Sequence, residues 1–270
     1  AGAAIDLNSD TRVDGVANVE MDGSGSFGAF GNHIIDSSVT GIDARSASDD
    51  VYVYAGNDVG LSVSIVDSVY AEGNFTTDSG QIINMDAVGI DLYAFDDVVL
   101  RDRSVNSVRA ADEFTVDMDI SAALYFEDAG AISTTSSDSR AVDLDVQGVY
   151  VYGDIGNVFV GGNDDSEFIA VRQNVEALVR PSTSASGGED PTILADGSLI
   201  DISMDGVSAF ADDSAYLQHV YVDSSATAKA YGRFDVSGDA IEIEFSGIEV
   251  DTADDGIEIK DSTVDLAIVA

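Results

Sequence analysis

The segment that closes the sequence, IEIEFSGIEVDTADDGIEIKDSTVDLAIVA (241–270), alternates apolar and acidic residues almost without interruption. A side-chain period of two is typical of a β-strand that buries one face and exposes the other to water. The same period, rich in Val, Ile, Tyr, Phe and Thr, runs through most of the chain. It predicts an all-β protein, with SEFIAVRQNVEALVR (166–180) as the best candidate for a short helix.

A unit of strand, glycine, strand, acidic turn and strand recurs along the sequence. In the closing segment, Ile241 and Ile243 precede Gly247, and the acidic pair Asp254 and Asp255 follows it. The glycine at this central position is here called the anchor of the unit. Similar units surround Gly25, Gly41, Gly89, Ala122, Gly148 and Gly206. The unit at Gly25 has no acidic pair, and in the unit at Gly148 the pair is reduced to Asp154. Glycine at the anchor permits a bend or bulge that a side chain resists. Aspartate at the turn bonds local backbone groups.

Repeated strand units predict an elongated, repeat-containing β protein. In a parallel β-solenoid, equivalent positions stack, and each coil covers the apolar face of its neighbour. The anchors are unevenly spaced, so a β-sandwich or an antiparallel stack stays open beside the favoured solenoid. The Ser-, Gly- and Pro-rich segment 180–192 is typical of a loop or linker. It separates a repeat-containing region, 1–179, from a continuing β region, 193–270, unless both form one domain.

The net charge is extreme, since 51 acidic residues face 11 Lys and Arg and give −40. Because 45% of the residues are hydrophobic and the carboxylates alternate with them, the acidic residues are predicted to lie on solvent-exposed faces of strands rather than in disordered segments. A high-salt habitat, where the screening length is roughly 3 Å at 1 M salt, or bound divalent cations would relieve the repulsion. Nucleic acid is excluded as a partner because no basic patch exists. No apolar run is long enough for a membrane-spanning helix.

The acidic turns are the predicted metal site. Calcium takes six to eight oxygen ligands, and turns that stack would place carboxylates side by side and require cations between them. The residues of this cation ladder are Asp49, Asp50, Asp96, Asp97, Asp212, Asp213, Asp254 and Asp255. The alternative is a set of solvated turns without metal, since neither an EF-hand loop nor a Gly-Gly-x-Gly-x-Asp repeat is present.

Two tyrosine-rich strands offer a surface for ligands. VYVYAG and VYVYGD place Tyr52 and Tyr54, and Tyr150 and Tyr152, on one face of a strand each. They indicate either sheet packing between repeats or subunits, or a platform on which sugar rings stack. No catalytic residue is predicted, because carboxylate pairs arise by default among 51 acidic residues and no nucleophile motif is present.

The stretch DVYVYAGNDVGLSV (50–63) resembles the repeats of secreted bacterial surface adhesins of the haemagglutinin type. In that family, phrases of this kind form coils of a β-solenoid. The resemblance, which covers these residues only, implies a cell-surface or extracellular role in binding or structure.

We expect the terminal strands to mediate assembly, because an alternating strand pairs either inside its own sheet or with another subunit. The residues predicted to do so are Ile5, Leu7, Val264, Leu266 and Ile268. A first residue other than Met suits a protein whose export signal has been removed. The predicted function is therefore a non-enzymatic, secreted homopolymer subunit of an extracellular filament, pilus-like fibre or surface layer. The alternatives are a surface adhesin segment that binds glycan or calcium, and a polysaccharide-degrading β-helix enzyme.

Overall fold

The computed structural model describes residues 3–7, 11–23, 27–29, 34–55, 59–71, 75–77, 81–102, 113–126, 132–134, 140–161, 168–181, 192–195, 197–236, 239–253 and 256–270. Every regular element in these residues is a β-strand. The prediction of an all-β protein is confirmed.

The strands follow one another in five coils and a final half coil. The first coil contains β1 (Ala3–Leu7), β2 (Thr11–Gly23), β3 (Phe27–Ala29) and β4 (Ile35–Ser46). The second contains β5 (Val51–Ala55), β6 (Val59–Ala71), β7 (Phe75–Thr77) and β8 (Gln81–Ala94). The third contains β9 (Val98–Asp102), β10 (Glu113–Phe126), β11 (Ile132–Thr134) and β12 (Arg140–Gly153). The fourth contains β13 (Val158–Gly161), β14 (Phe168–Pro181), β15 (Thr192–Ala195) and β16 (Ile200–Ala211). The fifth contains β17 (Ala215–Gln218), β18 (Val220–Ala230), β19 (Arg233–Val236) and β20 (Ile241–Thr252). The half coil contains β21 (Ile257–Lys260) and β22 (Thr263–Val269).

Each full coil contributes one strand to each of four sheets. Sheet A is β1-β5-β9-β13-β17-β21, sheet B is β2-β6-β10-β14-β18-β22, sheet C is β3-β7-β11-β15-β19 and sheet D is β4-β8-β12-β16-β20. The strands within each sheet pair in parallel, one coil above the next. The predicted β-solenoid architecture is confirmed, and the alternatives of a β-sandwich or an antiparallel stack are wrong.

The coils differ in length, which explains the uneven spacing of the anchors. Val51 pairs with Val98, and Val98 pairs with Val158, so these coils are offset by 47 and 60 residues. The connection from sheet D to sheet A keeps three or four residues in every coil. The connection from sheet A to sheet B instead varies from one residue to ten. The variation therefore lies outside the recurring unit.

Five anchor glycines form a ladder along sheet D, one in each full coil. They are Gly41, Gly89, Gly148, Gly206 and Gly247. The backbone pairing is interrupted at the glycines of both strands and resumes in the same register: Gln147 pairs with Val88, and Val149 with Ile90. Because a bulge would set two residues of one strand against one of its partner, the interruption is not a bulge between neighbouring coils. Ala122 lies instead in sheet B, and Gly25 lies outside the described residues.

The ladder requires glycine for space rather than for backbone conformation. A Cβ atom added to Gly148 would lie 2.3 Å from Cγ1 of Val171 and 2.4 Å from the carbonyl oxygen of Gly206. These separations are far below the 3.5–4.0 Å of an ordinary carbon contact, and none of the five glycines has a positive φ. The backbone of sheet D thus lies directly against side chains of sheet B.

The interior of the solenoid is filled by aliphatic side chains from alternate positions of the strands. The largest fully buried ones include Leu61, Ile65, Ile83, Met85, Ile90, Leu92, Ile120 and Leu124. Each such side chain contributes about 1.5–3 kcal/mol relative to an exposed position. The strands of sheets B and D supply most of this core, so the long alternating runs of the sequence hold the coils together.

One polar side chain joins sheets B and D across this interior. Gln173 is 3% exposed, and its Nε2 donates to the carbonyl oxygens of Val146 at 3.3 Å and Asp205 at 2.8 Å. Its Oε1 accepts a hydrogen bond from Ser224 at 2.7 Å. Because the amide is satisfied on both sides, its burial carries little penalty.

The helix expected within 166–180 is wrong, because Phe168–Pro181 forms strand β14. The strand pairs in parallel with β10 on one side and β18 on the other. Val171 and Val175 face the core, whereas Arg172 and Asn174 face solvent. Period two fits this segment as well as a helical period does, and the neighbouring strands select the β conformation.

The segment expected to be a loop or linker, 180–192, lies between two strands of the fourth coil. Residues 182–191 lie outside the described residues. Before the segment, β14 pairs with β10 of the third coil. After the segment, β15 pairs with β11, which also belongs to the third coil. The parallel stacking is therefore shared by the regions before and after the segment.

Candidate functional site

The acidic turns lie together at the corner between sheets D and A, here called the acidic corner. In the described part of the chain it comprises residues 47–50, 95–97, 154–157, 212–214, 253 and 256, which lie at the same corner of successive coils. Backbone hydrogen bonds between adjacent coils fix this stack: the amide of Val51 donates to Asp97 and that of Val98 to Asn157. The corner therefore places equivalent side chains one above another, as the repeat predicts.

The second acid of the first two pairs caps the backbone of the next coil. Oδ1 of Asp50 accepts from the amide of Asp97 at 3.3 Å. Oδ1 of Asp97 accepts from the amide of Asn157 at 2.8 Å and from its Nδ2 at 3.1 Å. Oδ2 of Asp50 accepts from the Tyr52 hydroxyl at 2.7 Å, and this bond raises the pKa of Tyr52 to about 12. These aspartates thus perform turn chemistry across coils rather than within one turn.

Three carboxylates at this corner lie close enough to share a cation. Asp50, Asp96 and Asp97 offer oxygens within 4.8 Å of one another. Desolvation, followed by repulsion from Asp97 and Asp50, raises the pKa of Asp96. Three acidic oxygens at this spacing suit a hard cation, which would need further oxygens to complete its shell.

The remaining members of the predicted cation ladder are not brought into this cluster. Asp49 lies at the same corner, one residue before Asp50. Asp212 and Asp213 lie two coils beyond Asp97, and the turn of the intervening coil has a single aspartate, Asp154. Asp254 and Asp255 lie outside the described residues. The geometry therefore supports a local cation cluster rather than a continuous ladder.

Replacing Asp96 by asparagine is expected to raise the melting temperature in a chelator at neutral pH and to reduce the stabilisation by calcium. The first effect follows because the variant loses repulsion from two neighbouring carboxylates, and the second because it loses a ligand. Since the folded pKa of Asp96 is raised, its destabilising charge is present at neutral pH and disappears as the pH falls through that pKa. Thermal unfolding with and without calcium, at neutral and acidic pH, tests both effects. An equal calcium shift in the wild type, D96N and the exposed control Glu176→Gln would contradict a site at Asp96.

The tyrosine-rich strands lie on two different sheets that flank the acidic corner. Tyr52 and Tyr54 lie on β5 of sheet A, and their rings stack 5.8 Å apart. Tyr150 and Tyr152 lie on β12 of sheet D. The ring of Tyr152 stacks on Tyr93 of the previous coil at 5.2 Å and 3°. Aromatic rings thus stack on both sides of the corner, along one strand in sheet A and between successive coils in sheet D.

The half coil exposes the side chains that elsewhere form the core. Val264 and Leu266 continue the inward rows of Val222 and Ser224, yet they are 38% and 47% exposed, and Ile268 is 54% exposed. Ile257 and Ile259 of β21 are also about half exposed. The predicted assembly residues of β22 therefore form an open apolar end, here called the C-terminal end face.

The two other predicted assembly residues lie at the opposite end of the stack. Ile5 and Leu7 belong to β1, the edge strand of sheet A, in register with Val53 and Ala55. Their side chains lie outside the described part of the structure.

No family model, no curated protein and no solved structure matches this chain. Within the described residues no helical segment has the length and apolar character to cross a bilayer.

Proposed function

We propose that the protein is a non-enzymatic, extracellular structural protein whose copies join end to end into a filament. The observation that carries this proposal is the C-terminal end face. It presents a cross-section of the core with large aliphatic side chains about half exposed. Contiguous exposed apolar surface is a common property of interaction sites.

The backbone of the same end is also open to a partner. Strands β21 and β22 are the last strands of sheets A and B, so one edge of each has no neighbour among the described strands. An open strand edge is a template for pairing with another strand. Apolar side chains and backbone groups together therefore favour a partner with a free β-strand edge over one that offers only apolar surface.

A second copy supplies strands with the matching arrangement. At the opposite end of the stack, β1 and β2 are the edge strands of the same two sheets and run parallel to β21 and β22. A copy placed head to tail would continue both sheets with the pairing that already joins the coils. Contact between unlike ends does not close on itself and generates a filament.

The charges on the last coils make this contact dependent on salt. Glu242, Glu244 and Glu249 of β20 face outward, as do Glu258 of β21 and Asp265 of β22. Carboxylates along an edge normally oppose unwanted pairing. At high salt their repulsion is screened within a few ångströms, so assembly suits a salt-rich extracellular setting. The adhesin-like stretch 50–63 agrees with a surface location.

Replacing Leu266 and Ile268 together by glutamate is expected to abolish filament formation. Both side chains continue inward rows, and burying unpaired carboxylates in a contact costs several kcal/mol. The critical concentration should rise by about 100-fold or more. Electron microscopy and light scattering in 1 M salt, with and without a calcium chelator, measure assembly.

The matched control carries Thr263→Glu and Ala267→Glu, which add the same charge to the outward face of the same strand. We expect regular fibres from the wild type and from this control, and dispersed folded particles from the inward variant. Dispersed wild-type particles in every buffer, or identical fibres from the inward variant, would contradict the proposal.

A further inference from the structure

We propose that the flank of the solenoid binds a positively charged amino-sugar oligomer in a groove beside the acidic corner. The groove has a volume of about 220 Å³ and crosses the third, fourth and fifth coils. Its lining includes two aromatic residues, Tyr152 and Phe210, and three acidic ones, Asp154, Asp212 and Asp251. It lies on the outward face of sheet D and reaches β20, the last strand of that sheet, whereas the C-terminal end face is formed by side chains of β21 and β22.

Two rings of an aromatic row on sheet D line the groove. Tyr93, Tyr152 and Phe210 occupy the same register position in successive coils of sheet D, and the next position is Asp251. Tyr152 stacks on Tyr93 at 5.2 Å, whereas the ring of Phe210 contacts Tyr150 at 5.6 Å with a tilt of 44°. Because Tyr152 and Phe210 both line the groove, a ligand with a flat apolar face can pack against them.

The rim of the groove selects the charge of that ligand. Asp154 and Asp212 border it at the acidic corner, and Asp251 borders it on the side of the fifth coil. No Lys or Arg is among the described residues that line it. Three carboxylates without a lining cation exclude anionic sugars and favour a ligand that brings its own positive charge.

A pyranose that carries an ammonium group satisfies both conditions. The C–H face of the sugar ring packs on an aromatic ring, its hydroxyls donate to carboxylate oxygens, and its ammonium group contributes charge-assisted bonds and a cation–π contact. A neutral sugar lacks the charge, and a lysine-rich peptide lacks the flat ring. The combination of ring row and carboxylate rim therefore favours an amino sugar over either.

Calorimetric titration with a short β-linked glucosamine oligomer tests the site, with the N-acetylated oligomer and oligolysine as comparison ligands. The titrations use 1 M salt so that attraction to the net charge of −40 is screened. Phe210→Leu removes the ring but keeps an apolar side chain, and Phe159→Leu is its control. Phe159 stacks on Tyr216 in sheet A and does not line the groove. Asp251→Asn and its control Glu249→Gln separate the groove carboxylate from an outward one on the same strand.

We expect saturable binding of the glucosamine oligomer that falls about ten-fold or more in F210L and D251N and stays unchanged in both controls. The two comparison ligands should bind about ten-fold more weakly than the glucosamine oligomer. Four results would each overturn the proposal. Absence of saturable binding removes the site, and equal affinities in F210L and F159L indicate charge attraction alone. Equally tight binding of the N-acetylated oligomer indicates a neutral-sugar site, and equally tight binding of oligolysine indicates that no sugar ring is recognised.

Discussion

Replacing Gly148 by alanine is expected to destabilise the solenoid by about 3 kcal/mol or more, at the upper end of what overpacking causes. The added Cβ would meet Cγ1 of Val171 at 2.3 Å on one side and the Gly206 carbonyl at 2.4 Å on another. The carbonyl belongs to the backbone of the next coil, so relief requires a shift of the sheet rather than of a side chain. The midpoint of chemical denaturation, measured together with its slope, gives the change in the free energy of unfolding.

Gly60→Ala is the matched control, because a Cβ at Gly60 meets no atom within 4 Å. Gly60 also lies in a strand, so alanine there should be neutral or stabilising by about 0.5–1 kcal/mol. A similar loss of stability in both variants would indicate a general cost of alanine in these strands. A small loss in Gly148→Ala alone would mean that sheets B and D are less tightly apposed than the structure places them.

The recurring unit could be predicted from the sequence because it depends on local chemistry. The alternation marks the buried face of each strand, the glycine marks the contact of sheet D with sheet B, and the acidic turn keeps three or four residues. The uneven spacing of the anchors obscured the coils, because connections elsewhere in each coil, such as 103–112 between β9 and β10, vary freely in length.

The aromatic row of the groove could also have been found by aligning the units. Tyr93, Tyr152, Phe210 and Asp251 each follow an anchor glycine by four residues. VYVYAG and VYVYGD are nearly identical in sequence, yet β5 belongs to sheet A and β12 to sheet D. Local resemblance between strands does not reveal which sheet each strand joins.

Buried polar residues are the part of the fold that residue type alone could not predict. Asp67 faces the core in register with Ala122 and is 0% exposed. Its Oδ1 accepts from the Val19 amide at 2.9 Å, and its Oδ2 has no hydrogen-bond partner among the residues that the structure describes. Its position two residues after Ile65 and two before Val69 places it inward, but carboxylates are rarely fully buried. At Asp67, the position of the residue in the alternation therefore predicts burial better than the polarity of its side chain does.

Gln173 is another inward polar residue, and its replacement by alanine is expected to cost about 3–5 kcal/mol. The variant leaves the Val146 and Asp205 carbonyls and the Ser224 hydroxyl without their shared partner, at about 1–3 kcal/mol for each buried group that stays unsatisfied. It also opens a cavity in the core. Denaturant unfolding measures the loss. The control Asn174→Ala, at an exposed neighbouring position, should change stability by less than about 1 kcal/mol.

Gln173→Met separates the two causes of this loss. Methionine fills most of the volume and lies beside Met118 of the preceding coil, but it donates no hydrogen bond to the two carbonyls. If the bridge between sheets B and D matters chiefly through its hydrogen bonds, the methionine variant should lose nearly as much stability as the alanine variant. If it recovers wild-type stability, Gln173 acts by filling space, and the carbonyls are satisfied within sheet D. The first outcome would make this amide the polar counterpart of the glycine ladder, because both hold sheet D against sheet B beside the interrupted pairing.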